Sequence, residues 1–284
     1  MITPEIIAKF IIMLAGVLLF GRWLLKTSLG RKALAYSRPR RNNMPLYLCL
    51  IPPFILFVPV PFAMLITERL VVDLQDWQKA FLGNFIYCIG SVAVVAIILF
   101  IAWSCFARRL KGFGLNIGSI HKDFFFAFLN LLTVLPLMEA AIRVMMIIGE
   151  LFYGPEYQIP QHEQLELITV YSQWQLRILI FIVTVVIAPI IEEMIFRGLF
   201  QTVIRSLLET RYSKLKGRYH PWLAIFISSG LFSMVHGNVP HWPALFLLGA
   251  CMGYAYEKSG SLFRPIFIHA FFNAITVIFV LLEI

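Results

Sequence analysis

Glu192 and Glu193 stand side by side at the end of a long apolar run, Ile178 to Ile191, and Arg197 follows four residues after the second of them. Ionised groups are costly in hydrocarbon and survive there with partners or with a task. On a helix, Glu193 and Arg197 face each other and can pair. Glu192 is turned about 100° away and gains no such partner from its own helix. One carboxylate is thereby left for chemistry or for a group on another element. Two later apolar stretches offer such groups. In Phe232-Ser233-Met234-Val235-His236, the histidine shares a helical face with Phe232. In His269-Ala270-Phe271-Phe272-Asn273, His269 and Asn273 share one.

A carboxylate beside an imidazole can hold and deprotonate a water. A second histidine and an amide can donate hydrogen bonds to an oxyanion as it forms. Water, base and oxyanion donors are the parts of a hydrolase, and for so apolar a chain the natural substrate is a membrane-held peptide. Glu192, His236 and His269 also form a ligand set of the thermolysin type for zinc, with an open fourth position. The compact HExxH spacing is missing, so direct water activation and a zinc site both stay open. A lone histidine in an apolar span is more often a satisfied core residue than a catalyst. It is the grouping of Glu192, His236 and His269 in one half of the chain that marks a site. His121, His162, His220 and His241 fall in loops or at span ends and receive no role. Phe232 reads as packing and Arg197 as a structural counter-ion.

The elements that must position these groups are membrane helices. Of the 284 residues, 60% are hydrophobic and 14% charged, with a mean hydropathy of +0.83. A soluble domain carries about 25% charged residues. The composition therefore predicts an all-α polytopic integral membrane protein. A span needs about 20 apolar residues, and spans are expected at Ile6–Leu25, Leu46–Ile66, Phe81–Ala107, Phe124–Ile148, from Arg177 past the Glu pair, Pro221–His236, Ala244–Tyr256, which is short for a seventh, and Pro265–Leu282: about eight transmembrane helices. The second holds Pro52, Pro53, Pro59 and Pro61 and should kink. Glu139 and Arg143, inside the fourth, read as a self-neutralising pair. The net charge of +9 sits in short loops, chiefly Arg22 to Arg41, Arg108 to Lys111, and Arg205, Arg211, Lys214, Lys216 and Arg218. That is the positive-inside pattern of cytoplasmic loops, and no nucleic-acid partner is assigned. The connection from Glu150 to Gln175 holds no lysine or arginine and reads as a loop on the outer side. Cys49, Cys88, Cys105 and Cys251 lie in or beside apolar segments without a CxxC pair, so reduced packing thiols are expected. Gly249 and Gly253 have the spacing that lets helices approach closely. The buried polar groups concentrate in the C-terminal half, unlike the paired broken helices of transporters with inverted repeats.

Glu192-Glu193-x-x-x-Arg197, Phe232-x-x-x-His236 and His269-x-x-x-Asn273 together resemble the motif set of the CPBP intramembrane protease family. That family includes CAAX prenyl endopeptidases and bacteriocin-immunity proteins. The resemblance runs from Arg177 to the C-terminus with every motif position filled. It implies a catalytic transmembrane core over residues 151–284, preceded by non-diagnostic transmembrane helices over 1–150, in one membrane domain. It implies that Glu192 and His236 activate the water, that His269 and Asn273 stabilise the oxyanion, and that Glu193 and Arg197 support the site. The family has been described both as metal-dependent, which would make Glu192, His236 and His269 the zinc ligands, and as metal-independent glutamate proteases. The implied function is an intramembrane endopeptidase acting on membrane-associated peptides or proteins, prenylated ones in the CAAX branch. The alternative is a non-hydrolytic membrane binding or self-immunity protein of the same fold. The expected location is a bacterial inner membrane, with the site toward the cytoplasmic half. No oligomeric state is assigned. Counting along the spans puts His236 at the far end of the sixth, away from Glu192 and His269. A common water then requires tilted or offset spans around an internal cavity.

Overall fold

The structure is a computed structural model describing residues 4–160, 163–211, 219–236 and 238–282. Among these the backbone is helical, with no strand beyond an isolated bridge between Asn42 and Phe106. In chain order the helices are α1 (Pro4–Lys26), α2 (Ile51–Phe57), α3 (Pro59–Leu70), α4 (Asp76–Cys105), α5 (Arg109–Phe113) and α6 (Ile120–Tyr153). There follow α7 (Glu163–Val170), α8 (Trp174–Ile182), α9 (Ala188–Glu193), α10 (Thr202–Arg211), α11 (His220–Met234), α12 (Trp242–Ser259) and α13 (Phe263–Leu282). The helices α8, α9 and α10 make one rod, Trp174–Arg211. They are joined by two π-helical stretches, Val183–Ile187 and Met194–Gln201.

Among the described residues, six segments are long and apolar enough to cross a bilayer: Ile6–Lys26, Leu46–Leu70, Asp76–Cys105, Ile117–Tyr153, Trp174–Arg211 and Phe263–Leu282. The chain is an all-α, multi-pass membrane protein. The two remaining expected spans are helices too, but short ones. The helix α11 has 15 residues, and α12 has 18 and ends on Glu257, Lys258 and Ser259. At 1.5 Å per residue α11 is about 22 Å long, against about 30 Å of hydrocarbon. These two pack on each other, and α6 packs on α1, α12 and α13.

Local sequence accounts for most boundaries. The proline-rich second span breaks between α2 and α3 at Val58 (φ −120°, ψ −70°), immediately before Pro59. The helix α4 starts at Asp76 rather than Phe81 because Gln75 and Gln78 form a capping box. The acidic connection, read as a loop, contains α7, whose Ile168 packs with Leu176, Ile180, Val277 and Val280. Gly114 adopts φ +111°, a conformation open to glycine, and its carbonyl accepts the Leu262 N–H at 2.9 Å. That bond ties the turn before α6 to the start of α13. Glu139 pairs with Arg143 at 2.8 Å as expected, and Lys9 of α1 joins them at 3.2 Å. The four cysteines are free thiols. His162, Lys214, Lys216 and Arg218 lie outside the described residues.

The main core joins Ile98, Leu131, Ile191, Phe196, Leu248 and Ile268. One of its close approaches is at Gly198, where a Cβ would overlap the Phe113 ring. Overpacking of this kind costs about 1–3 kcal/mol. Gly198→Ala is therefore expected to lower the melting temperature of the detergent-solubilised chain. Shortening the neighbour with Phe113→Leu should recover part of that loss. A melting temperature unchanged in Gly198→Ala would disprove the close approach.

Candidate functional site

The rod α8–α10 carries both carboxylates into the middle of the bundle. Glu193 and Arg197 are both fully buried, and Arg197 Nη1 donates to Glu193 Oε1 at 2.7 Å. An unpaired charge would be untenable there. Arg197 Nη2 donates to the Gly249 carbonyl on α12 at 3.1 Å, and the guanidinium lies 4.5 Å from the centre of the Phe232 ring. A Cβ at Gly249 would stand 3.0 Å from Ser229 Cβ and 3.2 Å from Arg197 Nη2. The glycine is thus what lets the guanidinium reach the backbone. One turn on, Gln201 Nε2 donates to the Gly253 carbonyl at 3.1 Å. The GxxxG spacing serves the rod as much as α11.

His269, on α13, places Nδ1 3.0 Å from Glu193 Oε1. Its other nitrogen, Nε2, lies 3.9 Å from Glu192 Oε2. His236 follows α11 and places Nε2 3.6 Å from the same Glu192 oxygen. His236 Nδ1 is 2.7 Å from the Phe232 carbonyl. A carbonyl only accepts, so Nδ1 carries a proton, and in the neutral form of the ring Nε2 would turn a lone pair toward Glu192. Glu192 Oε2 is buried and has no hydrogen-bond partner among the described residues. Several acceptors thus converge across gaps too long for direct hydrogen bonds, the arrangement that a bridging water or shared proton completes.

Span counting had set His236 apart from the others, and the short α11 removes the difficulty. Its first residue, His220, sits 3.4 Å from Glu209 on α10, so the helix begins beside the end of the rod. Fifteen residues then bring its end level with Glu192. The offset of the sixth span is a matter of helix length.

A cavity of about 660 Å³ meets Glu192, His236, His269 and Asn273. Glu192 and His236 keep side-chain exposures of 17% and 16%, whereas Glu193 has none. The two adjacent glutamates therefore have different surroundings: one is enclosed in an ion pair, the other faces open space. Asn273 does not contact the carboxylates. Its Nδ2 donates to the Thr184 carbonyl at 2.7 Å.

Sequence reasoning missed three contributors. Tyr87 and Asn84, on α4, line the cavity although the N-terminal spans carry no diagnostic motif. Phe232 is more than packing: its ring lies 4.6 Å from the His236 ring and 5.6 Å edge-on from that of His269, besides its contact with Arg197. The FxxxH spacing held that signal. The π-helical stretches had only Pro189 as a cue.

Glu192, His236 and His269 are the donor types of a zinc site, and the carbonyl and carboxylate behind the two imidazoles are usual supports for such ligands. As placed, however, they do not fit: among the described residues, no group of three His, Cys, Asp or Glu side chains is arranged to hold a metal ion.

Residues 173–275 match a family model described as type II CAAX prenyl endopeptidase Rce1-like. The matched stretch contains Glu192, Glu193, Arg197, Phe232, His236, His269 and Asn273. It supports the resemblance to CPBP and CAAX proteases. No curated protein and no solved structure matches the chain.

The enclosed pair yields a stability prediction. Arg197→Met leaves Glu193 buried without its counter-ion and should cost about 3–5 kcal/mol. The double variant Glu193→Gln/Arg197→Met should cost less than the sum of the single changes. Unfolding of the detergent-solubilised protein checks both, and strictly additive losses would argue against the pair.

Proposed function

We propose that this chain is an intramembrane endopeptidase in which Glu192 and His236 activate a water and His269 assists at the oxyanion. The observation that carries the reading is the convergence of Glu192 Oε2, His236 Nε2 and His269 Nε2 on one cavity. The resemblance and the family match support the same class of reaction.

The chemistry follows from the positions. A water between Glu192 and His236 gives up a proton to the carboxylate while its oxygen attacks the scissile carbonyl carbon. The carbonyl oxygen becomes an oxyanion, and His269 donates to it from Nε2 when both its nitrogens are protonated, with Glu193 holding Nδ1. Collapse of the tetrahedral intermediate breaks the C–N bond, and Glu192 returns the proton to the leaving nitrogen. Arg197 touches no reacting atom. It pairs with Glu193 in the bundle interior, and Glu193 in turn orients His269.

The substrate is a membrane-associated polypeptide, and a prenylated C-terminus is the CAAX version of it. With the basic loops in the cytoplasm of a bacterial inner membrane, the reacting groups belong toward the cytoplasmic half. Gln158 to Pro160, which also line the cavity, then face the outer side.

New peptide N-termini in membranes expressing the wild type, compared at matched levels with Glu192→Gln, test the proposal. Termini present with the wild type alone are expected, and they name the substrates. Glu192→Gln, His236→Ala and His269→Ala should each lower cleavage by about 10²–10⁴-fold with unchanged amounts of folded protein. Identical termini in wild type and Glu192→Gln at confirmed expression would transfer the chain to the non-hydrolytic binding or immunity class.

A further inference from the structure

Asn273 shares a face with His269 and meets the same cavity, yet its amide is engaged elsewhere, and the reason lies in the rod. In a π-helical turn each carbonyl accepts the N–H five residues on. The Ala188 N–H follows that rule and donates to the Val183 carbonyl. The next rung would join the Thr184 carbonyl to the N–H of residue 189. That residue is proline and has no N–H. A helix carbonyl deprived of its donor within a membrane bundle must be satisfied by a neighbouring group. Asn273 Nδ2 fills the vacancy at 2.7 Å.

Side chains also reach carbonyls of the second π-helical stretch, where no proline removes a donor. There Ser228 Oγ of α11 donates to the Phe196 carbonyl at 2.7 Å, and Thr202 Oγ1 donates to the Arg197 carbonyl at 3.3 Å. Side-chain donors thus engage carbonyls in both stretches, and in the first the donor stands in for a missing N–H. Pro189 stands three residues before Glu192 and four before Glu193. The first interruption therefore sets the direction in which both carboxylates leave the helix. Asn273 fastens that interruption to α13, one turn beyond His269.

We propose that Asn273 is a positioning residue. It replaces the backbone donor that Pro189 lacks, locks the π-helical turn against α13, and acts on the reaction through the placement of Glu192. This differs from direct donation to the substrate oxyanion, the role that the resemblance implies. The activity part of the test rests on the proteolytic reading of the site, and the exchange part does not.

The experiment uses the full-length chain in detergent micelles and follows backbone amide exchange over residues 185–193. Wild type is compared with Asn273→Leu, Pro189→Ala and the double variant. Loss of one ordinary hydrogen bond should speed exchange about fivefold in Asn273→Leu. Pro189→Ala restores a backbone donor, so the double variant should return to within about twofold of wild type. Asn273→Asp, which keeps the size and removes the donor, serves if the leucine variant does not fold, and it should exchange at least as fast. Unchanged exchange in the Asn273 variants, or equal acceleration with and without Pro189, overturns the proposal. In a cleavage assay Asn273→Leu should lower kcat with little change in KM, and Pro189→Ala should rescue it. Loss of kcat that Pro189→Ala does not rescue would assign Asn273 to the substrate instead. Accelerated exchange in a chain whose wild type cleaves nothing would refute the protease and leave the positioning role standing.

Discussion

The buried pair of Glu193 and Arg197 is the constraint on which the rest of the bundle depends. Each charge would be prohibitive alone at zero exposure. Together they still leave hydrogen-bonding capacity to satisfy, and three other helices provide for part of it. The helix α12 gives the Gly249 carbonyl, α13 gives His269, and α11 gives the Phe232 ring. The pair thereby fixes the relative positions of the elements that carry the remaining motif residues. Close approach at Gly249 and Gly253 is a precondition, since a Cβ at Gly253 would stand 2.7 Å from Gln201 Oε1.

Adjacent glutamates acquire opposite functions through this arrangement. Enclosure and a counter-ion commit Glu193 to structure, as a carboxylate that orients an imidazole. Glu192, about 100° round the helix, meets a cavity and two imidazoles from other elements. The division needs the rod to be rigid at the point where proline and π-helical turns weaken it. Donors from Asn273, Ser228 and Thr202 supply that rigidity. Breaks in a helix beside a reactive group recur at functional sites, and here the one at Pro189 has a named repair in Asn273.

The cavity is not the property of the motif-bearing half alone. Tyr87 and Asn84 of α4, and Met64 of α3, complete its lining. The first half of the chain therefore shapes what the cavity admits, although it contributes none of the motif side chains.

Composition and spacing by themselves determined the helical membrane class, the kink in the second span, the i,i+4 pairing of Glu193 with Arg197, and Glu192 as the carboxylate left over. All of these are local: they follow from apolar run length, proline chemistry and helical periodicity. The depth of His236 required the tertiary structure, because it depends on where α11 begins beside Glu209 and on its having 15 residues. So did the true partner of Asn273, which is a carbonyl orphaned by a proline on another helix. The sequence held the cue in Pro189, but a missing N–H says only that a donor is needed. Which side chain supplies it is decided by the packing of α13 against the rod.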